Sequence, residues 1–550
     1  MKIKKYDFIA VLLLLMLSLA ALSPMRIAKL WKSHDILLHS YRQAGFSQSL
    51  NEGNLIPRWG GNLNRGYGTP VPMFHYPLNH YLGHIFLSLG FTMVDTMKIL
   101  FAGFYLLGGI GMFLLLKRYT GTLPALAGAL VFLLLPYRLV LIYVRGALGE
   151  HTALSFSPWV FLAFDRLTEK VTLKRMSWAA LGFSALILLH QAMVLMSSGL
   201  LGIFLLAKFR FKGFNLKILL SVITALVLGV LVSSFFLLPA LVEGKYTLRD
   251  LIGLQDSYVT RFPAFKELIY SSWRFGLGPE NGVASGFTVS LGWTAWAGLF
   301  GTLIFLFNRK FSKILGVTGL VGILTAIFFM TPLSGNIAQA FLWLRYFQFP
   351  WRFLSLSAFS APFMVAAVSA RLPKFIVITG LIILAIVSSK TWNVEGYYNF
   401  PLENKDFFRQ VETTGDTGEA TPRWSTRFQD YWPKNVLEVV SGANIDFEVK
   451  TRQSELHEYI IRAKVLTQVA DNTLYFPGWK VYVDNAEVPV EPYDQNWRGI
   501  ITFPVPEGQH LVKVVFEETR LRKFANALSL IGIGILLALF TKKEKYGYNS

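Results

Sequence analysis

Long apolar stretches alternate with short polar connections along most of the chain. Each stretch approaches the roughly 20 residues that an α-helix needs to cross the hydrocarbon core of a bilayer. The pattern therefore predicts a polytopic α-helical membrane protein with about 12 transmembrane helices. The predicted spans are 8–22, 97–116, 122–142, 152–167, 176–190, 193–207, 217–238, 289–307, 312–331, 352–370, 374–390 and 523–541.

The polar connections differ in charge from one side to the other. Alternate connections collect lysine and arginine, for example at 117–118, 166–175 and 208–217, whereas the turns at 145–151 and 190–193 hold one arginine between them. Basic connections stay in the cytoplasm. The sequence therefore predicts a multi-pass protein of the inner (cytoplasmic) membrane, with both termini cytoplasmic and the large loops extracytoplasmic.

Three long connections fall on the extracytoplasmic side, at 25–96, 239–288 and 391–520. The last alternates polar and apolar residues with a period of two between turn residues, which predicts a small β-sandwich-like domain. We therefore predict a transmembrane domain over 1–390, an extracytoplasmic β-rich domain over 391–520, and a final transmembrane helix with a basic cytoplasmic tail over 521–550.

Composition narrows the classes of function. The chain is 53% hydrophobic and 16% charged, with a mean hydropathy of +0.44. Its net charge of +20 comes from cations beside apolar spans, a distribution that favours membrane orientation and argues against a nucleic-acid partner. The absence of cysteine excludes disulfides, thiolate metal sites and cysteine nucleophiles. The sequence also lacks a phosphate-binding P-loop, which argues against ATP-driven transport by this chain alone.

The first outer loop, 25–96, holds the most unusual run of residues. Asp35 follows the first predicted helix by about ten residues, next to His34. A carboxylate at that position can act as a general base or a metal ligand on a substrate presented at the membrane surface. The alternative is that Asp35 caps a helix beginning at Ile36, because aspartate is a favoured N-cap residue.

Four charged residues near the outer membrane face are further candidates. Arg145 and Glu150 flank a short outer turn, where ionisable groups are costly, roughly 2.5–3.5 kcal/mol at mid-bilayer depth. We assign Arg145 to a phosphate and Glu150 to a sugar or a metal, with an internal ion pair as the alternative. Arg352 and Arg58 are further phosphate candidates, because guanidinium groups match phosphate oxygens. For each arginine, anchoring at the interface is the alternative.

Histidines and carboxylates raise the question of a metal. His80 and His84 have the i, i+4 spacing of a helical zinc site, but the same stretch also fits an amphipathic helix lying in the interface. A divalent cation, Mg²⁺ or Mn²⁺, held by Asp35 and Glu150 is the one cofactor that the residues suggest, although two acids do not specify it. His190, at another outer turn, is predicted to contact donor or acceptor, with a helix cap as the alternative.

The order of these motifs carries a family resemblance. His34-Asp35, then PRW at 57–59, GYG at 66–68, RGALGE at 145–150 and QFPWRF at 348–353 resemble the bacterial membrane proteins related to 6-pyruvoyl-tetrahydropterin synthase, which are placed by similarity among glycosyltransferases of the GT-C class. The ending YFPGWKVYVDNAEVPV resembles the C-terminal β-domain of related bacterial membrane proteins. The zinc-binding histidine cluster of the soluble pterin enzyme has no equivalent here.

The resemblance implies a GT-C-like membrane domain that moves a sugar, a hexose or a pentose, from a polyprenyl-phosphate carrier to a glycan, lipid or protein acceptor on the outer face. It also implies that an acidic residue of the first outer loop is central to catalysis, and Asp35 is the matching position. The predicted roles are catalysis by Asp35 and Glu150, binding of the lipid phosphate by Arg58, Arg145 and Arg352, and contact with sugar or acceptor by His34, Tyr67 and His190.

Two other classes of function stay open. A transporter or flippase of a lipid-linked glycan would need ionisable residues in mid-span and paired broken helices, and neither stands out in the sequence. A non-catalytic scaffold for envelope assembly would use the outer β-domain to bind its partner. The aromatic residues of that domain suit a sugar surface or a cross-strand core equally well.

Overall fold

A computed structural model describes residues 5–250, 258–281, 283, 286–341, 344, 347–399, 403–409, 418–425, 432–494 and 496–542. The described chain is mostly helical, and its sheets are confined to the C-terminal region. The basic tail predicted after the last helix lies almost entirely outside the described residues. The helices are α1 (Lys5–Ala21), α2 (Ile36–Asn51), α3 (Val71–Phe74), α4 (Pro77–Ser88), α5 (Met93–Lys117), α6 (Thr122–Leu134), α7 (Pro136–Leu139), α8 (Leu148–Glu169), α9 (Leu173–Leu189), α10 (Gln191–Lys212), α11 (Leu216–Val232), α12 (Ser234–Val242), α13 (Phe265–Ile269), α14 (Trp293–Phe305), α15 (Lys313–Phe329), α16 (Gly335–Ala340), α17 (Leu354–Ser369), α18 (Lys374–Ser389), α19 (Asn404–Phe408) and α20 (Arg520–Thr541).

Every predicted apolar span coincides with a helix, but not every helix is long enough to cross a bilayer. Among the described residues, four helices pass on length and composition: α5, α10, α20 and the helix that runs through Pro350–Ser369. Three sharply bent helix pairs raise that number to seven if each pair is one span, and α14 and α18 are apolar but shorter. The number of twelve spans therefore stays a prediction.

The bent pairs were not expected from the sequence. Thr122–Leu134 and Pro136–Val144 meet at 50°, Leu216–Val232 and Ser234–Tyr246 at 74°, and Lys313–Phe329 and Pro332–Ala340 at 81°. Two of the breaks occur where proline begins the second helix, because proline lacks the N–H that would continue the hydrogen-bond ladder. The first two pairs direct their second segments toward the cavity described below.

The C-terminal region forms the predicted β-sandwich-like domain from two antiparallel sheets. Their strands pair in the orders β1-β4-β7 and β2-β3-β8-β5-β6. Apolar side chains from both sheets share one buried core. A hairpin turn with positive φ at Asp484 and Asn485 joins β5 to β6, as a two-residue type I′ connection requires. The strands are β1 (Leu437–Ser441), β2 (Ile445–Arg452), β3 (Leu456–Ala463), β4 (Thr467–Leu474), β5 (Trp479–Val483), β6 (Ala486–Val488), β7 (Ile500–Val505) and β8 (Gly508–Phe516).

The first outer loop packs into this β-domain. Trp59 is buried, with its ring 5.4 Å from that of Trp479. Tyr67 belongs to the same core, and its carbonyl accepts a hydrogen bond from the N–H of Leu474 at 2.9 Å. Gly68, at φ +73°, leaves room for Trp59, because a Cβ there would lie 2.1 Å from its Nε1. The prediction that Tyr67 contacts the sugar is therefore wrong: its ring lies in a hydrophobic core.

Arg58 links the first loop to the β-domain and to two helices through hydrogen bonds of its guanidinium group. Its Nε donates to Glu518 at 2.9 Å, its Nη1 to the carbonyl of Phe235 at 3.0 Å, and its Nη2 to Asn526 at 3.1 Å. Each guanidinium nitrogen is thus engaged within the protein, and the residue is buried. The assignment of Arg58 to a lipid phosphate is corrected: its charge holds the domains together.

Glu455 contacts the backbone of Arg58, and its pKa predicts that the stability of the protein depends on pH. It accepts hydrogen bonds from the backbone N–H of Arg58 at 2.7 Å and of Trp59 at 3.3 Å. Burial raises the pKa of Glu455 to about 7, although these N–H groups and the Arg58 charge oppose the rise. A carboxyl whose pKa is higher in the folded state than in the unfolded state makes its full contribution to folding stability at pH values below the unfolded-state pKa. That contribution is lost as the pH rises through the folded-state pKa of about 7.

We therefore expect the protein to be more stable at pH 5 than at pH 8, by a contribution on the order of 2 kcal/mol from this group. Glu455→Gln, which is neutral at both pH values, should remove most of that difference. Thermal unfolding of the two proteins in detergent at both pH values measures it. Equal pH dependence of wild type and variant would contradict the assignment.

Candidate active site

A cavity of about 710 Å³ collects most of the predicted site residues. It lies where the first outer loop meets the turn before α8, the start of α10, the end of α12 and the QFPWRF segment before α17. The predicted residues that line it are His34, Asp35, Arg145, Glu150, His190 and Arg352. Arg58 and Tyr67 are outside this lining. Arg58 is engaged by Glu518 and Asn526, and Tyr67 lies in the β-domain core.

Asp35 is held in this cavity by its backbone. The N–H of His34 donates to the carbonyl of Val144 at 3.0 Å, and the N–H of Asp35 donates to the carbonyl of Arg145 at 2.9 Å. Asp35 precedes α2 but makes no side-chain capping bond. Within the described ranges, its carboxylate has no hydrogen-bond or ion-pair partner. The helix-cap explanation therefore fails, and a half-buried carboxylate is left facing the cavity.

Gly146 allows this close approach of the first loop to the turn. Its φ is +59°, and a Cβ would lie 2.2 Å from Oγ of Ser33 and 3.0 Å from the backbone nitrogen of Ile36. A side chain there would push apart the two segments whose hydrogen bonds place Asp35. The close packing of these two segments thus explains why position 146 of the RGALGE motif is a glycine.

Gly146→Ala is expected to lower turnover by about 10²-fold, because a displacement on the order of 1 Å at a reacting group has that effect. Gly53→Ala is the matched control. Gly53 also has a positive φ, +97°, but a Cβ there would meet nothing within 4 Å. Rates of product formation and melting temperatures of both variants separate displacement from backbone strain. Unchanged turnover in Gly146→Ala would contradict the role of this contact.

Glu150 is buried beneath the cavity surface and fully engaged. Its Oε1 accepts from Tyr137 at 3.0 Å and from Ser355 at 2.8 Å, and its Oε2 accepts from Nη1 of Arg145 at 2.5 Å. Nε of Arg352 lies 4.0 Å from the same oxygen. The internal ion pair is therefore what the structure shows, and we reassign Glu150 from catalysis to the positioning of two arginines.

The residues do not fit the divalent cation that the sequence suggested. The carboxylate of Glu150 already faces the guanidinium groups of Arg145 and Arg352, which would repel a dication. Within the part of the chain that the structure describes, no three histidine, aspartate or glutamate side chains are grouped as metal ligands. His80 instead interacts through Nδ1 with Oε1 of Gln43 at 3.1 Å.

Further polar residues that were not predicted as site residues also line the cavity, among them His39, Arg42, His75 and Tyr76. His39 and Arg42 follow Asp35 at helical spacing, so the periodicity of α2 places them on its face and could have revealed them. Nη1 of Arg42 lies 2.6 Å from Nε2 of His75, and the ring centroids of Tyr76 and His190 lie 5.1 Å apart with their planes tilted by 39°. Burial holds the pKa of His39 and of His75 well below the usual value. Neutral imidazoles can both donate to and accept from hydroxyl groups.

One wall of the cavity is apolar and reaches the outer surface of the helices. Leu195 of α10 and Leu237 and Leu241 of α12 line it. Leu195 is 54% exposed and Leu241 is 63% exposed. The cavity thus combines a polar end, at Asp35 and the arginines, with an apolar wall suited to a hydrocarbon chain.

A comparison with known protein families identifies the family to which the chain belongs. The profile of the family described as the 6-pyruvoyl-tetrahydropterin synthase related domain, a membrane protein, matches residues 73–395. The chain belongs to this family. The matched range contains Arg145, Glu150, His190 and Arg352, whereas Asp35 lies before it. Family membership and the apolar helices agree that this is a membrane protein, as the sequence predicted. No curated protein matches the sequence.

Solved structures of similar shape are distant. The mycobacterial arabinofuranosyltransferase AftD matches 72% of this chain and 28% of its own, at 14% identity and a TM-score of 0.48. ArnT of Cupriavidus metallidurans bound to undecaprenyl phosphate matches 69% and 63%, at 13% identity and 0.40. The Archaeoglobus fulgidus oligosaccharyltransferase matches 76% and 59%, at 13% and 0.39. The chain spans less than two thirds of each, and likenesses at this level do not specify an activity.

Proposed function

We propose that the protein is a membrane glycosyltransferase that moves a sugar from a polyprenyl-phosphate-linked donor to an acceptor on the extracytoplasmic face of the inner membrane. The observation that carries the proposal is the carboxylate of Asp35, which has no hydrogen-bond or ion-pair partner among the described residues and faces a cavity that is also lined by Arg145, Arg352 and an apolar wall. The motif resemblance described above implies the same chemistry.

The cavity offers a group for each part of the reaction. An acceptor hydroxyl gives its proton to the carboxylate of Asp35 as its oxygen bonds to the anomeric carbon of the donor sugar. The bond from that carbon to the phosphate oxygen breaks, and the lipid phosphate departs with its electron pair. Arg145, which is buried and held by Glu150 and Tyr137, and the half-buried Arg352 stabilise the departing charge. The apolar wall of α10 and α12 holds the isoprenoid chain.

Glu150 contributes by fixing those arginines before the donor arrives. Its carboxylate, with the hydroxyls of Tyr137 and Ser355, holds Arg145 in one place. Preorganised charges stabilise a transition state without the cost of reorienting during the reaction. We assign His34 and His190, which line the cavity, to contact with the transferred sugar. Nδ1 of His190 also caps α10, because it accepts from the N–H of Met193 at 3.3 Å.

Identification of the bound lipid tests the proposal. The protein is purified in detergent and its copurifying lipids are identified by mass spectrometry. A polyprenyl phosphate carrying a single sugar supports transfer, and incubation with membrane lipid extract should then release free polyprenyl phosphate. The absence of any polyprenyl lipid, together with no change in the extract, would overturn the proposal.

A flippase of a lipid-linked glycan is the second candidate, because the structure contains the broken helices that it requires. Among the described helices, three bent pairs occur, with angles of 50°, 74° and 81°, and Arg138 is fully buried. Recovery of a complete lipid-linked oligosaccharide, without release of free carrier, would favour translocation over transfer.

A further inference from the structure

Four aromatic side chains form a partly exposed cluster beside the cavity, which we name the aromatic platform: Tyr246, Trp424, Tyr475 and Tyr493. Tyr246 and Trp424 stack at 5.8 Å with their planes 22° apart, and Tyr475 meets Trp424 edge-on at 5.0 Å. Nε1 of Trp424 donates to the hydroxyl of Tyr493 at 3.3 Å. The platform therefore joins the end of α12, the segment 418–425 and the β-domain.

The platform lies at the edge of the β-domain core: Tyr246, Trp424 and Tyr475 pack against that core on one side and stay partly exposed on the other. Tyr493 is 71% exposed, and Tyr246, Trp424 and Tyr475 are half-buried. A small globular domain normally buries such large rings or pairs them within a sheet. Here the rings are held in fixed relative positions by their own contacts and by a backbone bond from the N–H of Arg423 to the carbonyl of Tyr246 at 2.9 Å. The result is an ordered surface with aromatic faces and polar edges.

This surface is continuous with the rim of the cavity. Thr247 and Ala420 line the cavity, and they lie on two segments that pair through a bridge between Thr247 and Pro422. The N–H of Leu248 also donates to the carbonyl of Thr421 at 2.8 Å. Tyr246 directly precedes this pairing and Trp424 follows it. A chain that leaves the cavity over this rim therefore passes onto the platform.

The chemistry of the platform fits a sugar chain. The faces of aromatic rings carry partial negative charge and pack against C–H groups, and tyrosine and tryptophan also offer hydroxyl and N–H groups at the ring edge. Sugar rings present both C–H faces and hydroxyls. The apolar wall at Leu195, Leu237 and Leu241 offers only aliphatic contacts and suits the lipid. The apolar wall and the aromatic platform thus differ in chemistry in the way that the lipid-linked donor and a glycan acceptor differ.

We propose that the aromatic platform is the binding site of a glycan acceptor, which it holds through sugar residues next to the one whose hydroxyl reaches Asp35. This inference rests on the proposed transferase function, and it selects a glycan over a lipid or protein acceptor. It also gives the β-domain a part in substrate binding, because Tyr475 and Tyr493 come from that domain.

Direct binding of oligosaccharides tests the proposal. The full-length protein in lipid nanodiscs is titrated with fluorescently labelled linear oligosaccharides of glucose, mannose, galactose, rhamnose and arabinose, each from two to eight residues long. We expect at least one series to bind, with affinity that rises with length. Trp424→Ala should weaken that binding about tenfold, and Tyr493→Ala should weaken it less because its ring is more exposed.

Tyr482→Ala is the matched control, since Tyr482 lies on β5 of the five-stranded sheet, where its hydroxyl contacts Glu517. Failure of every series to bind, or equal affinity of wild type and Trp424→Ala, would overturn the proposal. So would a Trp424→Ala protein that no longer inserts into nanodiscs, because the platform would then be an interfacial membrane anchor.

Glycan binding and sugar transfer, measured on the same variants, separate this inference from the proposed function. Asp35→Asn should bind the oligosaccharide as wild type does but fail to extend it. If glycan binding depends on Trp424 while Asp35→Asn still transfers, the proposed catalytic chemistry fails and the glycan site stands. If Asp35→Asn abolishes transfer while no glycan binds, the transferase stands and the glycan site fails.

Discussion

Asp35→Asn is expected to reduce sugar transfer by a factor on the order of 10²–10⁴, the usual contribution of a general base. Asparagine keeps the size and polarity of the side chain and removes the charge that accepts the proton. Because the Asp35 carboxylate makes no capping bond to α2, the melting temperature should not fall. The measurement is release of free polyprenyl phosphate from membrane lipid extract by the purified protein, followed by mass spectrometry.

Asp95→Asn provides the control for loss of one carboxylate from the same loop. Asp95 is exposed and accepts from the hydroxyl of Thr92 at the start of α5. This variant should retain wild-type transfer. The copurifying lipid should also be unchanged in Asp35→Asn, because the arginines that hold the phosphate are intact. Wild-type turnover in Asp35→Asn would remove the base from the mechanism.

Glu150→Gln is expected to have the largest effect on stability, with a loss of about 3–5 kcal/mol, as found when one member of a buried ion pair is removed. Glutamine can still accept hydrogen bonds from Tyr137 and Ser355, so the change isolates the charge that faces Arg145 and Arg352. The arginines then lie unpaired in a buried site, and turnover should fall with stability. Thermal unfolding in detergent and the transfer assay measure the two effects.

A double variant distinguishes a positioning role of Glu150 from a catalytic one. Glu150→Gln combined with Arg145→Gln removes both charges of the pair and should recover much of the lost stability while transfer stays low. A stable Glu150→Gln protein whose only defect is a shifted pH profile of transfer would restore Glu150 to the acid-base chemistry.

Regular local patterns were enough to predict much of the fold. Apolar runs of the right length became helices, and the two-residue alternation from Tyr459 onward falls on β3 to β8, whereas β1 and β2 precede it and were not predicted. The bends were missed because a hydropathy pattern measures composition along the chain and not direction. Leu135 adopts an extended conformation before Pro136 and turns the chain, although the run 122–142 reads as one uninterrupted apolar segment.

The sequence correctly placed in the cavity those residues whose position depends mainly on the segment that carries them. His34, Asp35 and Arg145 lie on two segments that the sequence placed at the same membrane face, and they meet in one cavity. Arg58 and Tyr67 were misassigned because their partners, Glu518 and Leu474, lie more than 400 residues later in the chain. No local motif shows that a polar residue is already satisfied by so distant a group.

The interlocking of the first loop with the β-domain has a consequence for biosynthesis. The tryptophan of the PRW motif and the arginine beside it acquire their partners only when Trp479, Glu518 and Asn526 have left the ribosome. The first loop, which carries Asp35, therefore lacks these contacts until nearly the whole chain has been made. A chain terminated before the last helix would lack the contact of Arg58 with Asn526, and we expect it to leave the candidate site incompletely assembled.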